Sequence, residues 1–327
     1  MAPARASREH APWGGQLSWQ LSPPVLTPAK RPEDPFISVK DPPVVFHGGR
    51  WHVFMTTRNK VRTHQIEYVS FKTWEETDRA PRYILRCREG YCYAPQVFYF
   101  RPHQVWYLVY QVSEPGRNLK LQPAYSTSRN VADPQSWTPA RLLFPETDPE
   151  GVERWIDFWV ICDEAWAWLF LTSLEGRMWR MWTPLDKFPC GFGSRELALR
   201  ADIFEASHTY CLLGLNQYLT IVEAEGRGGR RYYKAYLANH LNDVWRPLAD
   251  TTEERPFAGW AHIRQPATTW TDNISHGELF RTAPDETIPV NPNNLQFLIQ
   301  GVLDQEKTGK KYGDIPWQLG LLTQVGK

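Results

Sequence analysis

The sequence predicts an all-β chain built as a five-bladed β-propeller, and three observations carry the prediction. A short segment, a polar residue set beside an apolar β-like run, occurs five times. The copies are Lys40-Asp41-Pro42-Pro43-Val44-Val45-Phe46, Ala94-Pro95-Gln96-Val97-Phe98, Ile156-Asp157-Phe158-Trp159-Val160, Phe204-Glu205-Ala206-Ser207-His208 and Ile274-Ser275-His276-Gly277-Glu278. Their polar members Asp41, Gln96, Asp157, Glu205 and His276 are 55, 61, 48 and 71 residues apart. That interval is too long for a helical solenoid and suits one four-stranded blade with variable loops. No long stretch of 3.6-residue periodicity competes with the strands. If each copy is the innermost strand of a blade, the five polar residues face one axis.

Taken in order, residues 1–35 are rich in Pro, Ala and Arg and read as a disordered or surface-draped leader, which leaves 36–327 as a single propeller domain. Val44-Val45-Phe46 and Trp51-His52-Val53-Phe54 flank His47-Gly48-Gly49-Arg50, a hairpin with glycine at its turn, and Gln65 to Ser70 alternates as a third strand. The second unit repeats the plan with Val97 to Phe100, Val105 to Tyr110 and Pro123 to Thr127. The third has Trp159 to Cys162, Trp166 to Leu171 and Met178 to Trp182. The fourth has Tyr218 to Glu223 and Arg231 to Leu237, and the fifth Glu278 to Arg281 and Leu295 to Gln300. The C-terminal stretch from Tyr312 to Thr323 is apolar enough to complete a blade begun near the N-terminus, closing the ring and hiding its edges.

Composition narrows the partners. The 327 residues carry a net charge of +1, so no field of one sign favours nucleic acid, an anionic membrane or a charged substrate. Aromatics are 14% of the chain, with 16 Trp, which suits both the sheets and the stacking of a neutral ligand such as a sugar. No window reaches transmembrane length, and the N-terminus has no apolar stretch of signal-peptide length. The five cysteines lack metal-ligand spacing. Cys87 and Cys92 could close a small loop, reduced core thiols being the simpler reading.

Taken singly, the polar residues have ordinary explanations. Asp41 before Pro42 is a turn former, and His276 a hydrogen-bonded core histidine. Asp157 and Glu205 sit among bulky apolar residues, where a carboxylate is costly unless it is paired or used. Their joint recurrence favours use. Glycoside hydrolysis needs one carboxyl held protonated for the leaving oxygen and another held ionised to activate water or attack carbon. Burial and like charges push two such pKa values apart.

At this point the residues resemble glycoside hydrolase family 62, the α-L-arabinofuranosidases that remove arabinose side chains from arabinoxylan. The similarity runs from Trp19 to Thr323. It rests on Lys40-Asp41-Pro42, Ala94 to Phe100, Trp155 to Asp163, Phe204-Glu205-Ala206-Ser207, Gly229-Arg230-Arg231-Tyr232, Pro256 to Gly259, Ile274 to Glu278 and Ile315 to Thr323. The resemblance implies a five-bladed propeller and an inverting mechanism, with Asp41 as general base, Glu205 as general acid and Asp157 as the carboxylate that tunes and holds the acid. It also implies Lys40 and Tyr312 beside the arabinose, His276 near an axial metal, usually calcium, and Gln96 as a substrate or axial contact. Inversion requires the acid and base roughly 6.5–9.5 Å apart. The expected partner is arabinoxylan or its oligosaccharides, met by a monomer, and the family's usual location is extracellular. Two alternatives stay open: a related five-bladed glycosidase acting on β-xylosides or arabinan, and a carbohydrate-binding propeller without turnover. A binding protein has no need of three converging acids.

Overall fold

Five short, mainly antiparallel sheets stand around an axis in a computed structural model that describes residues 17–32, 35–60, 63–248 and 251–325. Blade one comprises Phe36–Lys40, Arg50–Asn59, His64–Phe71 and Arg82–Ile84, with Val44–His47 also pairing Arg50–Asn59. Blade two runs Cys92–Phe100, Val105–Ser113, Leu121–Ser128 and Arg141–Leu142. Blade three runs Ile156–Cys162, Trp166–Thr172, Arg177–Pro184 and Glu196–Arg200. In blade four His208–Leu212, Gln217–Glu225, Arg231–Ala238 and Arg246–Pro247 follow one another, with Pro289–Val290 beside the first. The only α-helix among the described residues is Asp304–Lys307.

Blade five joins the two ends of the chain. Asn273–Leu279 and Gln296–Val302 pair in sequence, Gln318–Gln324 comes next, and Trp19–Leu21 lies outside it, antiparallel to it and parallel to Ile263–Arg264. Part of the stretch read as a leader is therefore structural: Trp19 is fully buried and its indole N–H donates to Phe257 O at 2.8 Å. An apolar three-residue strand is too short to stand out against a Pro- and Ala-rich background, and only the sheet edge it covers gives it a place. Residues 1–16 lie outside the described residues.

The second strand of each blade is buried through its middle. Val53, Phe54, Leu108, Val109, Leu169, Phe170, Ile221, Val222, Leu298 and Ile299 are all inaccessible, as expected of central strands covered on both faces. All five cysteines are free thiols, Cys87, Cys92 and Cys162 being buried.

At the hub the innermost strands share a backbone irregularity. Asp41, Ala94, Asp157 and Ala206 have φ of 50, 47, 56 and 56°, the left-handed region that non-glycine residues rarely enter. Register shifts mark the same place between Tyr93 and Gln96, Ile156 and Trp159, and Ser275 and Gly277. Such bulges re-aim side chains. Here they turn the first residues of each blade toward the axis. The five copies found in the sequence are thus offset from one another. Asp41, Asp157 and His276 occupy the kink itself, Glu205 comes one residue before it, and Gln96 two residues after Ala94.

Candidate active site

His276 is the residue around which the acids gather. Its Nδ1 lies 3.6 Å from Asp41 Oδ1 and 3.0 Å from Glu223 Oε1, and its Nε2 lies 3.3 Å from Asp157 Oδ1. None of the three has hydrogen-bond geometry, so both ring nitrogens lack a hydrogen-bonded partner. Burial opposes the imidazolium, but Asp157, Asp41 and Glu223 outweigh it and hold the His276 pKa well above its ordinary value. Gly277 follows because a Cβ there would collide with Leu298 O.

Glu205 is buried beside Arg231, whose Nη1 donates to its Oε1 at 2.7 Å. Burial pushes Glu205 up to about 7, opposed by Arg231 and reinforced by the charges of Asp157 and Glu223. Asp157 also holds the acid's backbone, since its Oδ2 accepts the Ala206 N–H at 3.1 Å. Gln111 in turn accepts the Asp157 N–H at 3.2 Å. On the other side of His276, Asp41 is buried with neither oxygen hydrogen-bonded. Burial raises its pKa, while His276 and Lys40 counteract.

Lys40 is inaccessible, its ammonium 4.4 and 4.3 Å from the ring centres of Tyr93 and Tyr312 and 3.3 Å from the Tyr93 hydroxyl. Burial lowers it to about 8, against the pull of Asp41 and Glu205. Tyr312 is 37% exposed, so it forms the wet side of this group, and its hydroxyl lies 3.2 Å from that of Tyr93. Asp41, Asp157, Glu205, Lys40, Tyr312 and His276 thus come together from every blade except the second, which adds Tyr93. Gln96 does not join them. Its amide donates to Val160 O and accepts Val160 N–H, both at 2.7 Å, and so ties blade two to blade three.

Sequence reasoning missed Glu223 and gave no role to Arg231 and Ser275, although both fall inside the segments quoted above. Glu223 is inaccessible; its Oε1 accepts the His276 N–H, and its Oε2 accepts the Ser275 hydroxyl at 2.9 Å and Arg231 Nη1 at 3.3 Å. Although burial would raise it, His276 and Arg231 hold Glu223 down at about 2. The signal was present: Glu223 sits inside Thr220-Ile221-Val222-Glu223-Ala224, a carboxylate in an apolar strand like that of Asp157.

Two places were tested for a cation. Ligand atoms of Glu205, Glu223 and His276 lie within 4.8 Å of one another, but the Arg231 guanidinium already fills that role. Asp41, Asp157, His208 and His276 border a small axial cavity of ≈ 10 Å³, room for roughly one water-sized particle. The unpartnered Asp41 oxygens there suit a hard cation completed by water, whereas His276, held as an imidazolium, could join them only after losing a ring proton.

The model of glycosyl hydrolase family 62 matches residues 25–323. The chain is 36% identical over 314 residues to alpha-L-arabinofuranosidase C of Cellvibrio japonicus, covering 94% of this chain and 47% of that protein, so it spans about half of that relative. The catalytic domain of a Coprinopsis cinerea family 62 alpha-L-arabinofuranosidase superposes with a TM-score of 0.87 at 36% identity, covering 95% of this chain and 98% of that one. A family 62 hydrolase in complex with xylotriose gives 0.88 at 33% identity, covering 96% and 99%.

Proposed function

This chain belongs to glycosyl hydrolase family 62, and we propose that it is an inverting α-L-arabinofuranosidase that removes arabinofuranosyl branches from arabinoxylan. Asp41 takes a proton from a water as that water attacks the anomeric carbon. Glu205 gives its proton to the departing xylose oxygen as the bond from carbon to that oxygen breaks. Asp157 holds Glu205 through Ala206 and, by its charge, favours the protonated acid. Lys40 and Tyr312 flank the arabinose, and Lys40 also favours the charged form of Asp41.

One observation carries this reading. Two carboxyl groups lie near one imidazole: Glu205, with a ligand atom within 4.8 Å of His276 and raised to about 7 beside a guanidinium, and Asp41, 3.6 Å from the ring and buried without a hydrogen-bonded partner. A general acid near the working pH combines the right protonation state with driving force for transfer. His276, Asp41 and Asp157 would hold a cation at the axial cavity, and it would supply positive charge at the hub in place of the imidazolium. Incubation with wheat arabinoxylan tests the proposal: free arabinose is the expected product, and release of xylose or of no sugar would refute it.

A further inference from the structure

The kinked hub residues are held by a repeated device. In four blades a side chain of the second strand accepts the backbone N–H of the next blade's hub residue: Thr56 from Ala94 at 2.9 Å, Gln111 from Asp157 at 3.2 Å, Glu223 from His276, and Gln300 from Asp41 at 2.8 Å. All four acceptors are inaccessible to solvent. At the fifth junction Asp157 Oδ2 takes the Ala206 N–H instead, and the corresponding Thr172 hydroxyl is buried without a partner.

Three of the four clamps are neutral, so clamping does not require a charge. Burying a carboxylate is expensive unless its charge is used. At Glu223 the second oxygen faces Arg231 and Ser275, and Arg231 Nη1 also donates to Ser275 Oγ at 2.9 Å and to Glu205 Oε1 at 2.7 Å. We propose that Glu223 is a positioning residue for the reaction: one oxygen clamps His276, and the other anchors Arg231 so that the guanidinium aims the Glu205 carboxyl at the leaving oxygen. The proposal rests on the arabinofuranosidase reading. Glu223 itself lies behind Arg231 and acts through it.

Glu223→Gln separates the two roles. An amide oxygen can still accept the His276 N–H, as Gln111 and Gln300 do in their blades, but the amide nitrogen turned toward Arg231 repels it. Rates on arabinoxylan and on 4-nitrophenyl α-L-arabinofuranoside are compared with thermal melting of the same samples. The expected result is a fall in kcat of about 10²-fold on arabinoxylan, the size of a misplaced catalytic group. The nitrophenyl substrate, whose leaving group needs little protonation, should lose less than about tenfold. KM should stay close to wild type, while Tm should fall without loss of the folded state at the assay temperature, because the substitution removes a buried charge that His276 and Arg231 hold ionised. Unchanged rates, or equal losses on both substrates, overturn the proposal. If Glu223→Gln does not fold, Ser275→Ala removes the hydroxyl shared by Glu223 and Arg231 and should show the same selectivity; equal losses or none overturn it there. A wild-type protein that releases no arabinose defeats the underlying reading instead, and so the two failures are distinguishable.

Discussion

Replacing Glu205 by Gln removes one dissociable proton from the site and leaves a side chain of nearly the same shape. Glu205 is buried against Arg231 and is raised to about 7. With that value, about nine-tenths of the acid is protonated at pH 6 and about one-tenth at pH 8, so wild-type kcat/KM on arabinoxylan should decline above pH 7 by about tenfold per pH unit. A positioned general acid contributes about 10²–10⁴ in rate, or about 3–5 kcal/mol at 1.36 kcal/mol per tenfold. Glu205→Gln should lose that much on arabinoxylan, whose xylosyl alcohol leaves poorly without a proton. On 4-nitrophenyl α-L-arabinofuranoside the loss should be far smaller, and the limb centred near pH 7 should disappear, leaving only the fall near pH 8 that loss of the Lys40 charge brings. The assay is kcat/KM for both substrates across pH 5 to 9. Equal losses on the two substrates, or a limb near pH 7 that survives the substitution, would refute Glu205 as the acid.

Asp41→Asn should abolish activation of water and cost at least about 10³-fold on both substrates alike; a loss confined to arabinoxylan would contradict the base assignment. Because it also removes a buried carboxylate without hydrogen-bonded partners, its Tm should not fall, as melting will show. Gln96→Ala breaks both hydrogen bonds to Val160 and should destabilise the fold by about 1–3 kcal/mol, measured by denaturant unfolding, with KM for arabinoxylan changed less than about twofold. Glu205 and Glu278 each stand near 7 in the fold against an ordinary 4.5. At these two groups the folded state binds more protons between those values, and their contribution to stability falls as pH rises through that window. His52, His64 and His208, lowered to about 4, 3 and 4 by burial, act in the opposite sense below pH 6.5, so the readout is a difference: Tm of the wild type relative to Glu205→Gln should decline from pH 4.5 to 7.5. A chelator should lower Tm, with elemental analysis finding a divalent metal in the untreated protein; no metal and an unchanged Tm would count against an axial cation.

The fold was legible because propeller blades are local. Most strands pair with a sequence neighbour, so hairpins such as the one around Gly48 and Gly49 mark themselves. The seam was only half legible: Gln318–Gln324 stands out as apolar, whereas Trp19–Leu21 is a strand solely because blade five has an edge to cover. Asp157 and Glu205 were visible as carboxylates in apolar surroundings. Their registration was not, because the left-handed kink shifts the pairing within the innermost strands, and this made Gln96 look equivalent to Asp41. Glu223 escaped notice, and Arg231 was left without a role, for a different reason. They lie on second and third strands, and only closure of the ring brings the second strand of blade four against the hub residue of blade five.

The claim beneath all of this is that Asp41 and Glu205 work on opposite faces of one sugar, which forces a single displacement. Proton NMR of arabinoxylan digestion, recorded within the first minutes before mutarotation, reads that directly. The account predicts that arabinose first appears as the β-anomer and converts to the α-anomer later; first appearance of the α-anomer would mean a double displacement and would contradict it.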